Sequence, residues 1–188
     1  MTDGIAHGQS VGSESPAVPR HPPKELPPLT PPEAGVCLSN FSCEANVGIE
    51  GPTEFVANRP TRVTLVSVRL RLAIVIWTIA APPPKLRAHE EGHREIAESY
   101  YARAKDVAEK LAAGLIGRAL AVPVDDSPAM KQAIGKLQEE LLNGYQRQIS
   151  LRSKVAQVQF DLITQHGANS VPESQAIPRA LAAEANSR

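Results

Sequence analysis

Apolar and other residues alternate along the chain from Val63 to Trp77. Thr64, Val66, Val68, Leu70, Leu72, Ile74 and Ile76 share one nearly all-apolar face, and Val63, Leu65, Ser67, Arg69, Arg71, Ala73 and Val75 share a mixed one. Period two over a β-rich run predicts a half-buried strand, or a bent pair of strands, within residues 61–79. Pro82, Pro83 and Pro84 stop that run, and proline suits the first turn of a helix. The period then changes. Leu86, His89, His93, Ile96, Tyr100, Ala104, Val107, Leu111 and Leu115 recur at three- and four-residue steps, which predicts an amphipathic helix from about Lys85 to Leu120. Pro123 ends it, and Asp126-Ser127-Pro128 supplies a cap and a first-turn proline for a second helix. That helix carries Met130, Ile134, Leu137, Leu141, Tyr145, Ile149 and Val155 on its apolar side and runs to a stop at His166-Gly167. A short connection makes the two helices antiparallel neighbours. The pattern therefore predicts an α+β fold in which a long antiparallel helix hairpin packs on a small β-sheet.

Composition adds boundaries to this pattern. Eight of the 17 prolines fall between Pro16 and Pro32, a density that forbids a helix or a central strand. Residues 1–34 are read as a disordered, proline-rich head, 35–60 as a connecting segment, 61–171 as the main domain and 172–188 as a flexible tail. The first 25 residues show no apolar run of the kind a secretory signal needs. Residues 72–81 are apolar but too few to span a bilayer, so no integral membrane segment is expected. Formal net charge is zero, which offers nothing to nucleic acid or to an anionic surface. Cys37 and Cys43 fit either a small-loop disulfide or two thiols with no special role.

Candidate chemistry lies in His89-Glu90-Glu91-Gly92-His93, an H-E-x-x-H sequence at the start of the first helix. Residues four apart on a helix share one face, so the two imidazoles can hold one zinc ion. Glu90, one residue after the first His, falls beside the metal, where it can take a proton from a bound water. A shuffled chain of this composition contains the motif roughly once in a hundred tries, so the motif needs support from elsewhere. The hairpin supplies it. His93 lies thirty residues before Pro123, which brings residues 156–166 of the second helix to its level. Asp161 and His166 sit in that window. His166 is taken as the third ligand, with Asp161 either its alternative or a supporting acceptor for a ligating ring. Tyr100, two turns beyond His93, is read chiefly as a core residue and also as a candidate donor to an oxyanion. Gly92 is costly inside a helix, and a close approach of strand backbone is the expected reason for it.

The segments V-S-V-R-L-R-L-A-I-V-I-W, R-A-H-E-E-G-H-R-E-I-A and F-D-L-I-T-Q-H-G-A-N-S together resemble a family of bacterial zinc-dependent proteases catalogued as a domain of unknown function. The last segment is similar to that family's Y-D-x-x-T-x-H-G-x-x-Q-G pattern, with Phe160 at the Tyr position, and the likeness spans about residues 61–171. The resemblance implies a zincin-like fold and a zinc-dependent hydrolase acting on a peptide or protein. It supports His89, His93 and His166 as ligands and Glu90 as catalytic base, with Asp161 and Thr164 alongside. Family members are commonly exported. In such a site an extended peptide is expected to pair with the edge of the Val63–Trp77 strand. The alternative from a different class is a non-catalytic helical interaction module, in which two amphipathic helices dock on a partner and any metal site is structural or vestigial.

Overall fold

The computed structural model of the chain describes residues 8–15, 34–54, 60–124 and 127–186. The proline-rich stretch at 16–33, read from sequence as disordered, lies outside them. In chain order the elements are β1 (Gly8–Ser13), β2 (Gly35–Glu50), β3 (Thr61–Thr78), α1 (Pro84–Tyr101), α2 (Ala104–Ala113), β4 (Ala119–Leu120), α3 (Pro128–Gln148), α4 (Ser150–Thr164) and α5 (Glu173–Asn186). The fold is mixed α+β with a four-stranded sheet in the order β1-β3-β2, and β4 pairs with β3. β1 runs parallel to β3, Gly8 opposite Leu65 and Ser13 opposite Leu70. β4 is antiparallel to the start of β3, with Thr61 opposite Leu120.

β3 is one continuous strand, as the alternation predicts, rather than a bent pair. Its even-numbered apolar side chains from Val66 to Ile76 are buried, while Arg69 and Arg71 are exposed. Its position corrects one expectation. β3 is an internal strand of the sheet, and among the described residues the strands at the ends of the order are β1 and β2. The segments expected to connect or trail also differ. Residues 35–50 form β2, residues 173–186 form α5, and part of the expected head, residues 8–13, forms β1. α5 buries Ala176, Ile177 and Ala180 even though Pro178 sits inside it. Burial of that apolar face outweighs the proline's missing N–H, which costs a helix interior about 3 kcal/mol in the absence of such packing.

The expected hairpin of two long helices is not found. The first stripe is divided at Ala102-Arg103, where the N–H of Arg103 bonds to the Tyr100 carbonyl at 3.2 Å, a three-residue step in place of the α-helical four. The second is divided at Ile149, whose φ of −117° and ψ of −74° leave the helical range. A 3.6-residue stripe survives such breaks, because a single tight turn restarts the helix with its apolar face nearly unrotated.

The chain forms two compact units. The described residues of Met1–Ser13, Cys43–Leu70 and Ala104–Gln148 make up the first. There α2 packs on α3 and on β1, with Ala104, Ala108, Ala112, Leu137, Leu141 and Tyr145 buried. Ser127 caps α3 through a hydrogen bond accepted from the Met130 N–H at 3.2 Å, as the Asp126-Ser127-Pro128 sequence predicts. The second unit comprises the described residues of Glu14–Ser42, Arg71–Arg103 and Ile149–Arg188. Leu72, Ile74 and Ile76 of β3 pack there with Ala97 of α1, and Cys37, Phe41 and Tyr101 close over them. α1, α4 and α5 pack mutually. Cys37 and Cys43 are free thiols, and burial pushes them up to about 12 and about 11, which suppresses thiolate chemistry.

Candidate metal centre

Pro82 and Pro83 precede α1, and Pro83 and Pro84 occupy its N-cap and first position, where the absent N–H removes no helical hydrogen bond. The helix then places His89, about one and a half turns in, and His93, a turn further on, against Phe160 and Asp161 of α4, with Glu90 turned inward between them. His89 and Glu90 are each only 3 % exposed. From α4, Asp161 points one carboxylate oxygen at both rings. His89 Nε2 lies 3.2 Å and His93 Nε2 3.0 Å from Asp161 Oδ1, and the two Nε2 atoms are 3.1 Å apart. These residues form a group able to hold a metal ion, each offering one ligand atom within 4.8 Å of the others. Two imidazole nitrogens and one carboxylate oxygen are a donor set suited to zinc, and separations near 3 Å suit metal–ligand bonds of about 2 Å.

The aromatic packing around the group is tight. The Phe160 ring stacks on His89 at 5.0 Å and 13°, and meets His93 edge-on at 5.0 Å and 83°. A methyl group at Gly92 would lie 2.5 Å from Phe160 Cζ. Gly92 is therefore explained by an aromatic ring arriving from α4, and not by strand backbone as the sequence suggested. The strand does approach, but one helical step away. A Cβ at Gly35, the first residue of β2, would lie 2.7 Å from Glu90 Oε1.

Charge follows from this packing. Burial alone would raise Asp161, yet hydrogen bonds and charge from His89 and His93 outweigh it and hold the carboxylate well below its usual range. Burial works against the charged form of His93, but Asp161 and Gln157 overcome it and raise that ring above its ordinary value. Burial pushes Glu90 up to about 7, with His93 pulling it down and Asp161 lifting it further. Its Oε2 is buried and makes no hydrogen bond among the described residues. A carboxylate oxygen left in that state is costly unless something outside the chain engages it.

Most residues singled out by sequence assemble here. His166 and Tyr100 are the exceptions. α4 closes with left-handed backbone at Gln165 (φ 51°), His166 (φ 54°) and Gly167 (φ 76°). That turn swings the His166 side chain out to 81 % exposure, with Nδ1 3.6 Å from Asp161 Oδ1, so His166 lies outside the group of three. Asp161, still within the helix, stands in the place assigned to His166. Thr164 is fully buried, its hydroxyl 3.4 Å from His89 Nδ1. Tyr100 is buried but donates its hydroxyl to Glu184 Oε2 at 2.7 Å, in a cluster where Arg152 also grips Glu184 through both carboxylate oxygens. Its burial agrees with its reading as a core residue, and its hydroxyl is engaged by Glu184. Gln157 was not foreseen. Its Oε1 contacts His93 Nδ1, and its Nε2 donates to the His93 carbonyl at 3.0 Å. The hairpin count covered its position, but a neutral amide carries no sequence signal of a metal site.

Among the described residues no helix is long and apolar enough to cross a membrane. No family model, curated protein or solved structure matches the chain.

Proposed function

We propose that the protein is a zinc-dependent hydrolase of zincin-like type acting on peptides, with His89, His93 and Asp161 as ligands and Glu90 as general base. One observation carries this reading. Two ring nitrogens and a carboxylate oxygen converge within 3.2 Å of one another, beside a buried carboxylate oxygen with no partner among the described residues. When bound there, zinc would acidify a water and polarise a carbonyl. Glu90 would serve as the base that takes a proton from water and as the acid that gives it to the leaving amine. His93 and Asp161 both act electrostatically on the Glu90 carboxyl, which supports its place in the same site. β2, an end strand whose first residue abuts Glu90, offers the main-chain edge for an extended peptide, in place of the internal β3.

Metal analysis of the purified chain after zinc addition and dialysis tests the site. One zinc per chain is expected, falling to background in Asp161→Ala and His93→Ala. Equal metal content in all three proteins would overturn the assignment. Glu90→Gln should retain zinc and lose peptide cleavage by a factor of at least about a hundred, the scale of general base catalysis.

A second reading rests on a different observation. Leu151, Val155, Val158 and Leu162 of α4 are 41–65 % exposed and recur at four-, three- and four-residue steps, the spacing of a helix–helix seam. On this reading α4 docks on a partner helix and the metal is structural. Val158→Asp would then abolish assembly, while Glu90→Gln would leave assembly unchanged.

A further inference from the structure

We propose that Gln157 and Thr164 are positioning residues that fix both histidine rings with a proton on Nδ1, so that Nε2 of each ring, which meets Asp161 Oδ1 as a donor in the metal-free chain, is the nitrogen released to a metal. This rests on the metal-site reading above and deepens it. The argument begins at a backbone carbonyl, which can accept a hydrogen bond but never donate one. Gln157 reaches the His93 carbonyl at 3.0 Å, so the atom facing that carbonyl is the amide NH2. The other end of the amide, the oxygen Oε1, then faces His93 Nδ1. An amide oxygen only accepts, so Nδ1 carries the proton and Nε2 is the nitrogen left for a metal. One side chain thus reads the direction of the α1 backbone and converts it into the tautomer of a ring on the same residue.

The second ring is set by the same logic with a different group. Thr164 has a single hydroxyl proton. The Phe160 carbonyl takes it at 2.7 Å, with the Asp161 carbonyl a longer alternative at 3.5 Å. Both are acceptors of the same helix, so the proton points back along α4 whichever carbonyl holds it. The oxygen lone pair is left toward His89 Nδ1 at 3.4 Å, and that nitrogen must donate. Thr164 is fully buried and His89 nearly so, so this contact is shielded from bulk solvent. Phe160 closes the arrangement by lying flat on His89 and edge-on to His93, so neither ring can flip to exchange its nitrogens. Gln157, Phe160, Asp161 and Thr164 stand at three-, one- and three-residue steps, one face of α4.

Long-range proton–nitrogen spectra of the imidazoles in zinc-loaded protein test the assignment without any appeal to activity. Both rings should carry their proton on Nδ1 and present Nε2 to the metal. A zinc-loaded wild-type chain in which either ring keeps its proton on Nε2 would overturn the proposal, and this outcome needs no variant to fold. Zinc affinity supplies the second readout. Gln157→Leu, which fills the space but accepts nothing, should bind zinc roughly ten- to a hundred-fold more weakly, the usual cost of losing an outer hydrogen bond to a metal-bound His. Gln157→Glu restores an acceptor and should recover most of that loss, whereas a merely space-filling Gln157 would give Leu the better recovery. Thr164→Ser should behave as wild type and Thr164→Val should weaken zinc binding. Unchanged zinc affinity in both Gln157→Leu and Thr164→Val would remove the positioning role while leaving the metal site intact. Wild-type protein that binds no zinc would instead sink the metal reading itself, an outcome distinct from the loss of the positioning role alone.

Discussion

Two helix pairs in this chain use the same device to different ends. In one unit, Gly144 of α3 lets Leu111 of α2 approach, and an added Cβ would lie 2.7 Å from Leu111 Cδ2. In the other, Gly92 of α1 admits Phe160 of α4, at 2.5 Å from Cζ to where a Cβ would stand. The α2–α3 contact ends on the tip of a half-buried aliphatic chain, which can change rotamer. The α1–α4 contact ends on a fully buried ring held against two imidazoles. Helix packing by itself tolerates adjustment, because many aliphatic arrangements fill a given space about equally well. Packing that also aims candidate ligand atoms does not, since a small shift of Phe160 moves the rings of both histidines. The same contrast appears in polarity. α2 buries only alanines, whereas α1 buries a histidine and a carboxylate.

The sharpest way to break this comparison is to load the site. Zinc at a thousand times its Kd should stabilise the folded state by about 4 kcal/mol. Hydrogen exchange should show that gain in the amides of α1 and α4 and far less of it in α2 and α3. Equal protection throughout would mean that the two units open together, and the contrast drawn here would have no energetic content.

Next in size is the carboxylate itself. Burial raises Glu90 from 4.5 to about 7, so the folded state holds that proton more tightly than the unfolded chain does. The favourable contribution is complete below the unfolded value and is lost as pH rises through about 7. Glu90→Gln should therefore stabilise the zinc-free protein by about 3 kcal/mol in mild alkali and by little in acid, as read from denaturant unfolding. An acid-side gain as large as the alkaline one would show that burial of the charge is not the cause.

The smallest effect separates the two glycines directly. Gly92→Ala should destabilise by about 2 kcal/mol, because overpacking against a trapped ring outweighs the better helix propensity of alanine. Gly144→Ala should fall within about 1 kcal/mol of neutral, since propensity gain and Leu111 displacement oppose each other. Parity between the two variants would place the aromatic packing on the same footing as the aliphatic one.

How much of this was legible depends on what each signal measures. Alternation located β3 to within a residue or two, because a strand buried on one face has no other way to distribute its side chains. The proline run marked the start of α1 for a similarly local reason. H-E-E-G-H and the hairpin count brought α1 and the second half of the stripe from α3 into α4 to one level, which is why Asp161 appeared among the candidates. The choice between Asp161 and His166 was not readable. It turned on three consecutive left-handed residues, and only Gly167 among them advertises that conformation. The breaks at Ala102 and Ile149 left no mark, since neither residue is a helix breaker. β2 was missed because small and polar residues such as Ser39, Asn40 and Ala45 blur its alternation. α5 was missed because a proline inside a helix reads as its absence.

One feature bears on how such a protein tolerates change. A single face of α4 carries a proposed ligand, a contact to each histidine ring and the aromatic wedge, all within eight residues. Adding or removing one residue in that helix before Gln157 would turn the face by about 100° and withdraw all four side chains at once. The same length change in the turn after α4 would spare every one of them. Drift in this chain is therefore uneven in kind: point changes on α4 erode the site by degrees, while a shift of reading along the helix deletes it in one event.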